Sequence, residues 1–237
     1  MVRSILVTGS NQGLGRHTVH QLAQTPDVIL FMGSRKLEAA EEALSKFSSD
    51  IHASSSVVPV QLDITDEASI KAAHAFVVNH LKTKGLSSLD VLINNAAVWQ
   101  ESFESTYTVN VFGTVAITEV FRPLIATGGA ILNISSGLGS LRWHTKRPPP
   151  PILPAYSSSK SALNSLTLQW AIQEEEKGSK IRVVSICPGL NATNLNNYTD
   201  LPGAKDPADG CKIIVKTALE KEGESGVFFN KDGPFEW

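Results

Sequence analysis

The stretch ILVTGSNQGLG, residues 5–15, decides the fold class that this 237-residue sequence predicts. A short apolar run leads into a loop with three glycines, and a helical pattern over residues 16–24 follows directly. Glycines let a backbone approach a pyrophosphate closely, and a helix N-terminus offers free N–H groups and about half a positive charge. We therefore expect a nucleotide phosphate site, with a simple tight turn as the alternative. The candidate residues are Gly9, Asn11, Gln12, Gly13, Leu14 and Gly15.

Beyond this stretch, short apolar runs alternate with longer stretches of helical periodicity. Such alternation is typical of a parallel sheet that helices cover on both faces. We expect one α/β domain over residues 1–237, a Rossmann-type doubly wound parallel sheet of about seven strands. The expected strands are residues 4–7, 28–32, 57–62, 91–93, 130–134, 182–186 and 227–229.

Two segments interrupt the alternation. Residues 139–155 carry five prolines, which do not fit a helix interior or a central strand, so we expect an extended loop. Residues 190–207 are rich in Asn, Thr, Pro and Gly and predict a second, substrate-side loop. Both loops follow strands that should end at the carboxyl edge of the sheet, where open α/β sheets bind ligands.

Composition excludes several classes of protein. The chain has 21 Lys and Arg against 23 Asp and Glu, without a basic block, which argues against a nucleic-acid partner. Its two cysteines, Cys187 and Cys211, fit a reducing compartment. The N-terminal apolar run is too short for a signal peptide or a membrane span, so we expect a soluble cytoplasmic protein. No histidine pair has a metal-like spacing with a carboxylate, and no metal is expected.

The end of the second expected strand bears on the choice of nucleotide. Residues 33–36, Gly-Ser-Arg-Lys, contain no acid that could bind the ribose hydroxyls of NAD. Arg35 and Lys36 could instead bind a 2′-phosphate, which a guanidinium matches in geometry and charge. The alternative is that both are solvated residues at the start of the next helix. NADP is favoured over NAD.

Further motifs follow in one consistent order. The sequence resembles the short-chain dehydrogenase/reductase family in its single-domain branch, and within it the carbonyl-reductase subgroup and its plant and fungal relatives. The resemblance covers nearly the whole chain, and Ala97 for the last Gly of NNAG is a departure from it. The matching positions are the glycine loop for TGxxxGxG, Asp63 with Ile64 after the third strand, residues 94–97 for NNAG, Asn110, Ser136, Tyr156 with Lys160 for YxxxK, and Pro188, Gly189 and Thr193 for PGxxxT.

The resemblance implies roles for these residues. Asp63 contacts adenine, and Asn110 holds a water that connects Lys160 to solvent as a proton relay. The other cofactor residues that it implies are Ile64, Asn95, Ala96, Tyr156, Lys160, Pro188, Gly189, Asn191 and Thr193. Asn191 stands where the family usually has an apolar residue.

Tyr156 and Lys160 are four residues apart on an expected helix and share one face. An ammonium roughly 4 Å from a phenol favours the phenolate by about 4 kcal/mol at an effective dielectric near 20, or roughly three pK units. Such a tyrosine exchanges a proton with a carbonyl or alcohol oxygen, and Ser136 can hydrogen-bond the same oxygen. The alternatives are a half-buried structural tyrosine and a serine that only caps a turn.

We expect an NADPH-dependent oxidoreductase that reduces the carbonyl group of a small apolar or aromatic ketone, aldehyde or quinone. The competing hypothesis is a nucleotide-binding relative used for sensing, scaffolding or a non-redox ring-forming reaction. Trp143, together with Trp99, is expected to form an apolar lid over the substrate. The alternative for Trp143 is a subunit contact, since the helix from Ala155 pairs protomers in related proteins; the oligomeric state is left open.

Overall fold

A computed structural model describes residues 2–196 and 203–237, so residues 197–202 of the predicted substrate-side loop lie outside the described part. The strands are β1 Arg3–Val7, β2 Val28–Ser34, β3 Ser56–Gln61, β4 Leu89–Asn94, β5 Ile125–Ile134, β6 Arg182–Ile186, β7 Val227–Asn230 and β8 Gly233–Pro234. The α-helices are α1 Gly13–Ala23, α2 Leu37–Ser45, α3 Glu67–Thr83, α4 Phe103–Tyr107, α5 Thr114–Phe121, α6 Leu141–His144, α7 Pro154–Glu176, α8 Pro207–Gly210 and α9 Lys212–Leu219. A π-helical turn spans Thr108–Gly113, and 3-10 turns span Ser48–Asp50, Arg122–Leu124, Gly137–Gly139 and Asn194–Asn196.

The strands form one sheet in the order β3-β2-β1-β4-β5-β6-β7-β8. The first seven are parallel and confirm the seven expected strands, whereas the two-residue β8 pairs antiparallel with β7. The order reverses between β1 and β4, which is the switch point where doubly wound sheets bind nucleotides at their carboxyl edge.

Helices bury both faces of the sheet. On one face, Val19 and Leu22 of α1 and Ile214 of α9 pack with β-strand residues in one apolar cluster. On the other face, Ile70 of α3 and Phe121 of α5 belong to a second cluster. This two-sided burial explains why the strands are near-continuous apolar runs without alternation. No helix in the described part of the chain is both long and apolar enough to cross a lipid bilayer.

A buried polar network joins β4, β5 and α7 inside the second face. Asn94 Nδ2 donates to Asn133 Oδ1 at 2.8 Å, and Asn133 Nδ2 donates to Thr167 Oγ1 at 2.8 Å. Thr167 Oγ1 also lies 2.8 Å from Ser185 Oγ on β6. These hydrogen bonds hold α7 against β5 and β6, and residues of the predicted site follow both strands at the carboxyl edge.

Thr167→Val is expected to lower the free energy of unfolding by about 1–3 kcal/mol, because it leaves a buried amide N–H without an acceptor. The matched control is Thr217→Val, since the Thr217 hydroxyl donates only along its own helix to the Ile213 carbonyl. Urea unfolding of both variants checks the prediction. Equal losses for the two variants would contradict it.

The proline-rich segment, predicted as an extended loop over residues 139–155, is partly helical: it contains α6, and α7 already begins at Pro154. Residues Leu141–His144 form a single helical turn, α6, because Ser140 Oγ accepts the Trp143 N–H at 3.0 Å and caps it. The prolines begin only at Pro148, after this turn has ended. The prediction of an extended conformation was therefore wrong for residues 141–144 and for residues 154–155, which belong to α7.

Candidate active site

The glycine loop lies between β1 and α1 at the switch point of the sheet. Gly9 has φ +60°, and a Cβ there would lie 2.8 Å from Ala96 Cα. A Cβ on Gly15 would lie 2.5 Å from Asn95 Nδ2 and 2.6 Å from the Gly9 carbonyl oxygen. Asn95 Nδ2 itself donates to the Thr8 and Gly9 carbonyls at 2.8 and 3.0 Å. Any larger residue at position 9 or 15 would therefore clash with these atoms, and the two hydrogen bonds of Asn95 hold the loop in place.

The N-terminus of α1 is free of a side-chain cap. Gln12 occupies the N-cap position and makes no capping hydrogen bond. A Cβ on Gly13 would be 3.3 Å from Asn194 Oδ1 and 3.5 Å from Thr193 Cβ, so the loop after β6 lies next to this helix end. A bare helix N-terminus beside glycines that leave no room for side chains is a cradle that fits a pyrophosphate.

Arg35, Lys36 and Asp63 follow the ends of two adjacent strands. β2 and β3 are parallel, with Ser34 beside Gln61, so Arg35 and Lys36 follow one strand end and Asp63 follows the other. Arg35 and Lys36 are exposed, and no carboxylate among the described residues forms an ion pair with either. Asp63 Oδ1 accepts from the Thr65 N–H and hydroxyl at 2.9 and 2.6 Å. The two free cations fit a 2′-phosphate better than a bare ribose.

Ser136, Tyr156 and Lys160 come together at the carboxyl edge beside this cradle. Ser136 caps the 3-10 turn after β5, and its Oγ accepts the Leu138 N–H at 3.2 Å. The Ser136 hydroxyl lies close enough to the Tyr156 phenol to influence its pKa. Lys160 Nζ lies 5.7 Å from the centre of the Tyr156 ring and donates to the Ile134 carbonyl at 2.9 Å. The geometry brings together a proton donor, a hydroxyl that can bind the same oxygen, and a fixed ammonium.

The protonation states differ from the prediction. Burial raises the pKa of Tyr156 above the ordinary value of about 10 for a phenol, and the nearby Ser136 hydroxyl offsets this only in part. Burial also lowers the pKa of Lys160 to about 8. The spacing to Lys160 predicted a lowered pKa for Tyr156, and that prediction was wrong in direction, because desolvation raises the pKa of the buried phenol. At neutral pH Tyr156 is protonated, the state in which it can act as a general acid.

The raised pKa of Tyr156 and lowered pKa of Lys160 predict a pH profile. Below about pH 8 Lys160 carries the charge that stabilises the phenolate formed on proton donation, and above it that charge is lost while Tyr156 stays protonated. For a reaction in which Tyr156 donates a proton, we expect kcat/KM to be flat around neutrality and to fall above about pH 8. Lys160→Arg, which stays charged, should lose the alkaline limb. An unchanged rate of the native protein through the alkaline range would contradict the assignment.

Asn110 lies in the π-helical turn Thr108–Gly113, a feature often found at functional sites. Its Nδ2 donates to the Val98 carbonyl at 2.9 Å and to Ser159 Oγ at 3.0 Å, and its Oδ1 accepts the Val98 N–H at 2.8 Å. The amide thus ties the loop after β4 to α7. Both of its N–H groups are occupied, and the water relay implied by resemblance stays a prediction.

One neighbour of the site was missed in the sequence. Cys187 Sγ accepts the Gly137 N–H at 3.1 Å, and burial raises the pKa of this thiol. The thiol therefore stays neutral, and it binds the backbone N–H of Gly137, the residue after Ser136. The signal in the sequence was its position directly after β6 and before Pro188, which places it at the carboxyl edge of the sheet. The cysteine served above only as evidence for a reducing compartment.

The two tryptophans predicted to form a lid contact different residues. Trp99 lies against Tyr156, with ring centres 5.8 Å apart, whereas Trp143 packs against Gly137 and Phe235.

Asn191 is buried, and its Nδ2 donates to the Gly189 and Pro188 carbonyls at 2.8 and 3.3 Å. A Cβ on Gly210 would lie 1.9 Å from Asn191 Oδ1. The glycine therefore leaves room for the Asn191 side chain, which stands where the family usually has an apolar residue.

Comparisons with known proteins agree with this geometry. A family model described as short chain dehydrogenase matches residues 3–201. The "Short-chain dehydrogenase anuI" of Penicillium roqueforti (strain FM164) is 35% identical over 91% of this chain and 88% of its own length. The "NADP-dependent 3-hydroxy acid dehydrogenase" of Schizosaccharomyces pombe is 29% identical over 87% and 78%.

A solved structure extends the similarity to three dimensions. The crystal structure of NADPH-bound carbonyl reductase from chicken fatty liver has a TM-score of 0.80 and 30% identity, and the alignment covers 100% of this chain and 99% of that one.

Proposed function

The chain belongs to the short-chain dehydrogenase/reductase family, and from this we propose that it reduces the carbonyl group of a small apolar or aromatic compound with NADPH. One observation carries the proposal: a buried, protonated Tyr156 lies beside the Ser136 hydroxyl and the ammonium of Lys160, which the Ile134 carbonyl holds. This is the arrangement that a carbonyl reductase needs, because the oxygen being reduced must receive a proton.

Residues around the cradle would hold the cofactor. The glycine loop would bind the pyrophosphate through the N-terminus of α1, and Arg35 and Lys36 would bind the 2′-phosphate. When bound, NADPH supplies a hydride to the carbonyl carbon. The other residues proposed to line it are Asp63, Ile64, Asn95, Ala96, Pro188, Gly189, Asn191 and Thr193.

The chain's own residues would perform the proton transfer. Ser136 holds the substrate oxygen, and the Tyr156 hydroxyl donates its proton to that oxygen as the alkoxide forms. The Lys160 ammonium, held by the Ile134 carbonyl, stabilises the resulting phenolate until Tyr156 is reprotonated. Each cycle would thus consume one carbonyl compound, one NADPH and one proton from solvent, and it would produce one alcohol and one NADP⁺.

Trp99 favours an apolar or aromatic substrate. Its ring is tilted by 31° from that of Tyr156 and is half-buried, so it presents an apolar surface next to the reacting oxygen. We further propose a cytoplasmic enzyme, since Cys187 and Cys211 are both free thiols.

The test is NADPH oxidation by the purified protein with a panel of aldehydes, ketones and quinones that differ in size and polarity. We expect turnover with aromatic members and little with small polar ones. NADPH binding without turnover of any carbonyl or alcohol would favour the competing hypothesis of a sensing, scaffolding or non-redox role.

A further inference from the structure

The surface beside Ser136 is built from two segments that are distant in sequence. Residues 137–146, called the wall here, run from the 3-10 turn after Ser136 through α6. Residues 233–237, called the clasp, return from β7 as β8 and then cross α6. Phe235 N–H donates to the Phe228 carbonyl at 2.8 Å, which anchors the clasp to β7.

The clasp holds α6 by several different contacts. The Arg142 N–H donates to the Trp237 carbonyl at 3.0 Å. The Glu236 carboxylate lies 2.9 Å from Lys146 Nζ and 3.6 Å from Arg142 Nε. The rings of Trp143 and Phe235 meet edge to face with centres 6.2 Å apart.

These contacts reach the residue next to the catalytic serine. A Cβ on Gly137 would lie 2.8 Å from Trp143 Cζ3 and 3.2 Å from Phe235 Cζ, so both rings pack directly against its Cα. The N–H of the same glycine is held by Cys187 Sγ. Any displacement of the two rings therefore changes the surroundings of the backbone that carries Ser136.

The wall has few other supports beyond residue 140. A helix of four residues is unstable alone, because one turn cannot repay the entropy of its nucleation. Gly139 is tied to α7 through Ser161 and Asn164, and His144 Nε2 donates to the Leu138 carbonyl within the wall itself. Within the part of the chain that the structure describes, the polar contacts that residues 141–146 make with other segments all go to the clasp.

We propose that the clasp is a positioning element that fixes the wall against Gly137 and thereby sets the orientation of Ser136 and the substrate preference of the site. Phe235 and Glu236 are its positioning residues. The proposal deepens the proposed function, since a bulky carbonyl compound would have to fit between this wall and Trp99.

The test compares Phe235→Ala with the conservative Phe235→Leu and with Phe76→Ala, a half-exposed phenylalanine on α3 whose ring faces His80. We expect Phe235→Ala to lower kcat about tenfold with an unchanged Kd for NADPH, since small misplacements at a reacting centre are costly. Phe235→Leu should restore most of the loss, and Phe76→Ala should leave kcat unchanged. The ratio of kcat/KM for a bulky and a small ketone should fall with Phe235→Ala.

Hydrogen exchange measured by mass spectrometry tests the clasp independently of turnover. Phe235→Ala should accelerate exchange over residues 137–146 and leave α3 as in the native protein. Unchanged exchange over residues 137–146 would overturn the proposal, even if the protein reduces carbonyl compounds. If no carbonyl is reduced, the proposed function fails while the exchange result still decides the clasp.

A second pair of variants tests the proposal if the Phe235→Ala protein does not fold. Glu236→Lys places a third cation beside Arg142 and Lys146, whereas Glu222→Lys makes the same charge change on an exposed residue between α9 and β7. Faster exchange over residues 141–146 in Glu236→Lys alone supports the clasp. Equal exchange in the two variants overturns it.

Discussion

Tyr156→Phe is expected to lower kcat for carbonyl reduction by about 10²- to 10⁴-fold, the range that a positioned acid contributes. The substitution removes only the hydroxyl that Ser136 contacts and keeps the ring that packs against Trp99. Because the glycine loop is untouched, the Kd for NADPH should stay within a few-fold of the native value. Steady-state kinetics and a fluorescence titration with NADPH measure the two quantities separately.

The matched control is Tyr107→Phe, which removes the hydroxyl of a tyrosine that packs against Phe103 and Phe112. It should retain native kcat. A fully active Tyr156→Phe protein would remove the tyrosine from the mechanism and revive the non-redox hypothesis.

Arg35→Asp is expected to reduce the preference for NADPH over NADH by about 10- to 100-fold in kcat/KM. A hydrogen bond to a charged group contributes about 1.5–3 kcal/mol, and the substitution also places a carboxylate where a phosphate would lie. The same carboxylate can accept hydrogen bonds from the ribose hydroxyls of NADH, so activity with NADH should hold or rise.

Lys82→Asp makes the same change of sign on an exposed residue of α3 and should leave the cofactor ratio unchanged. If Arg35→Asp and Lys82→Asp gave the same ratio as the native protein, Arg35 would be a solvated residue at the start of α2. The preference for NADP would then need another source.

The glycine loop shows what sequence could predict. The strand, glycine loop and helix follow one another within residues 3–23, and local residue types determine each of them. The strands were predictable for the same reason, since burial on both faces makes each a continuous apolar run. The expected sites therefore fell at the carboxyl edge, where the structure brings Ser136, Tyr156 and Lys160 together.

The parts that were missed depend on contacts between distant segments. The protonation of Tyr156 depends on burial by the whole fold, which a pairwise estimate from its spacing to Lys160 omits. Trp143 could be placed near Ser136 by proximity in sequence, but its contact with Phe235 joins residues more than 90 positions apart. The turn α6 was missed although Ser140, which caps it, is a residue type that favours helix N-termini.

The most direct test of the central claim follows one isotope. NADPH that carries deuterium at both C4 positions of the nicotinamide is incubated with the protein and an aromatic ketone or aldehyde that it turns over, and the product is analysed by mass spectrometry. We expect one deuterium on the carbinol carbon of the alcohol, and we expect Tyr156→Phe to form this labelled alcohol about 10²- to 10⁴-fold more slowly. NADPH consumption without deuterium at that carbon would contradict it.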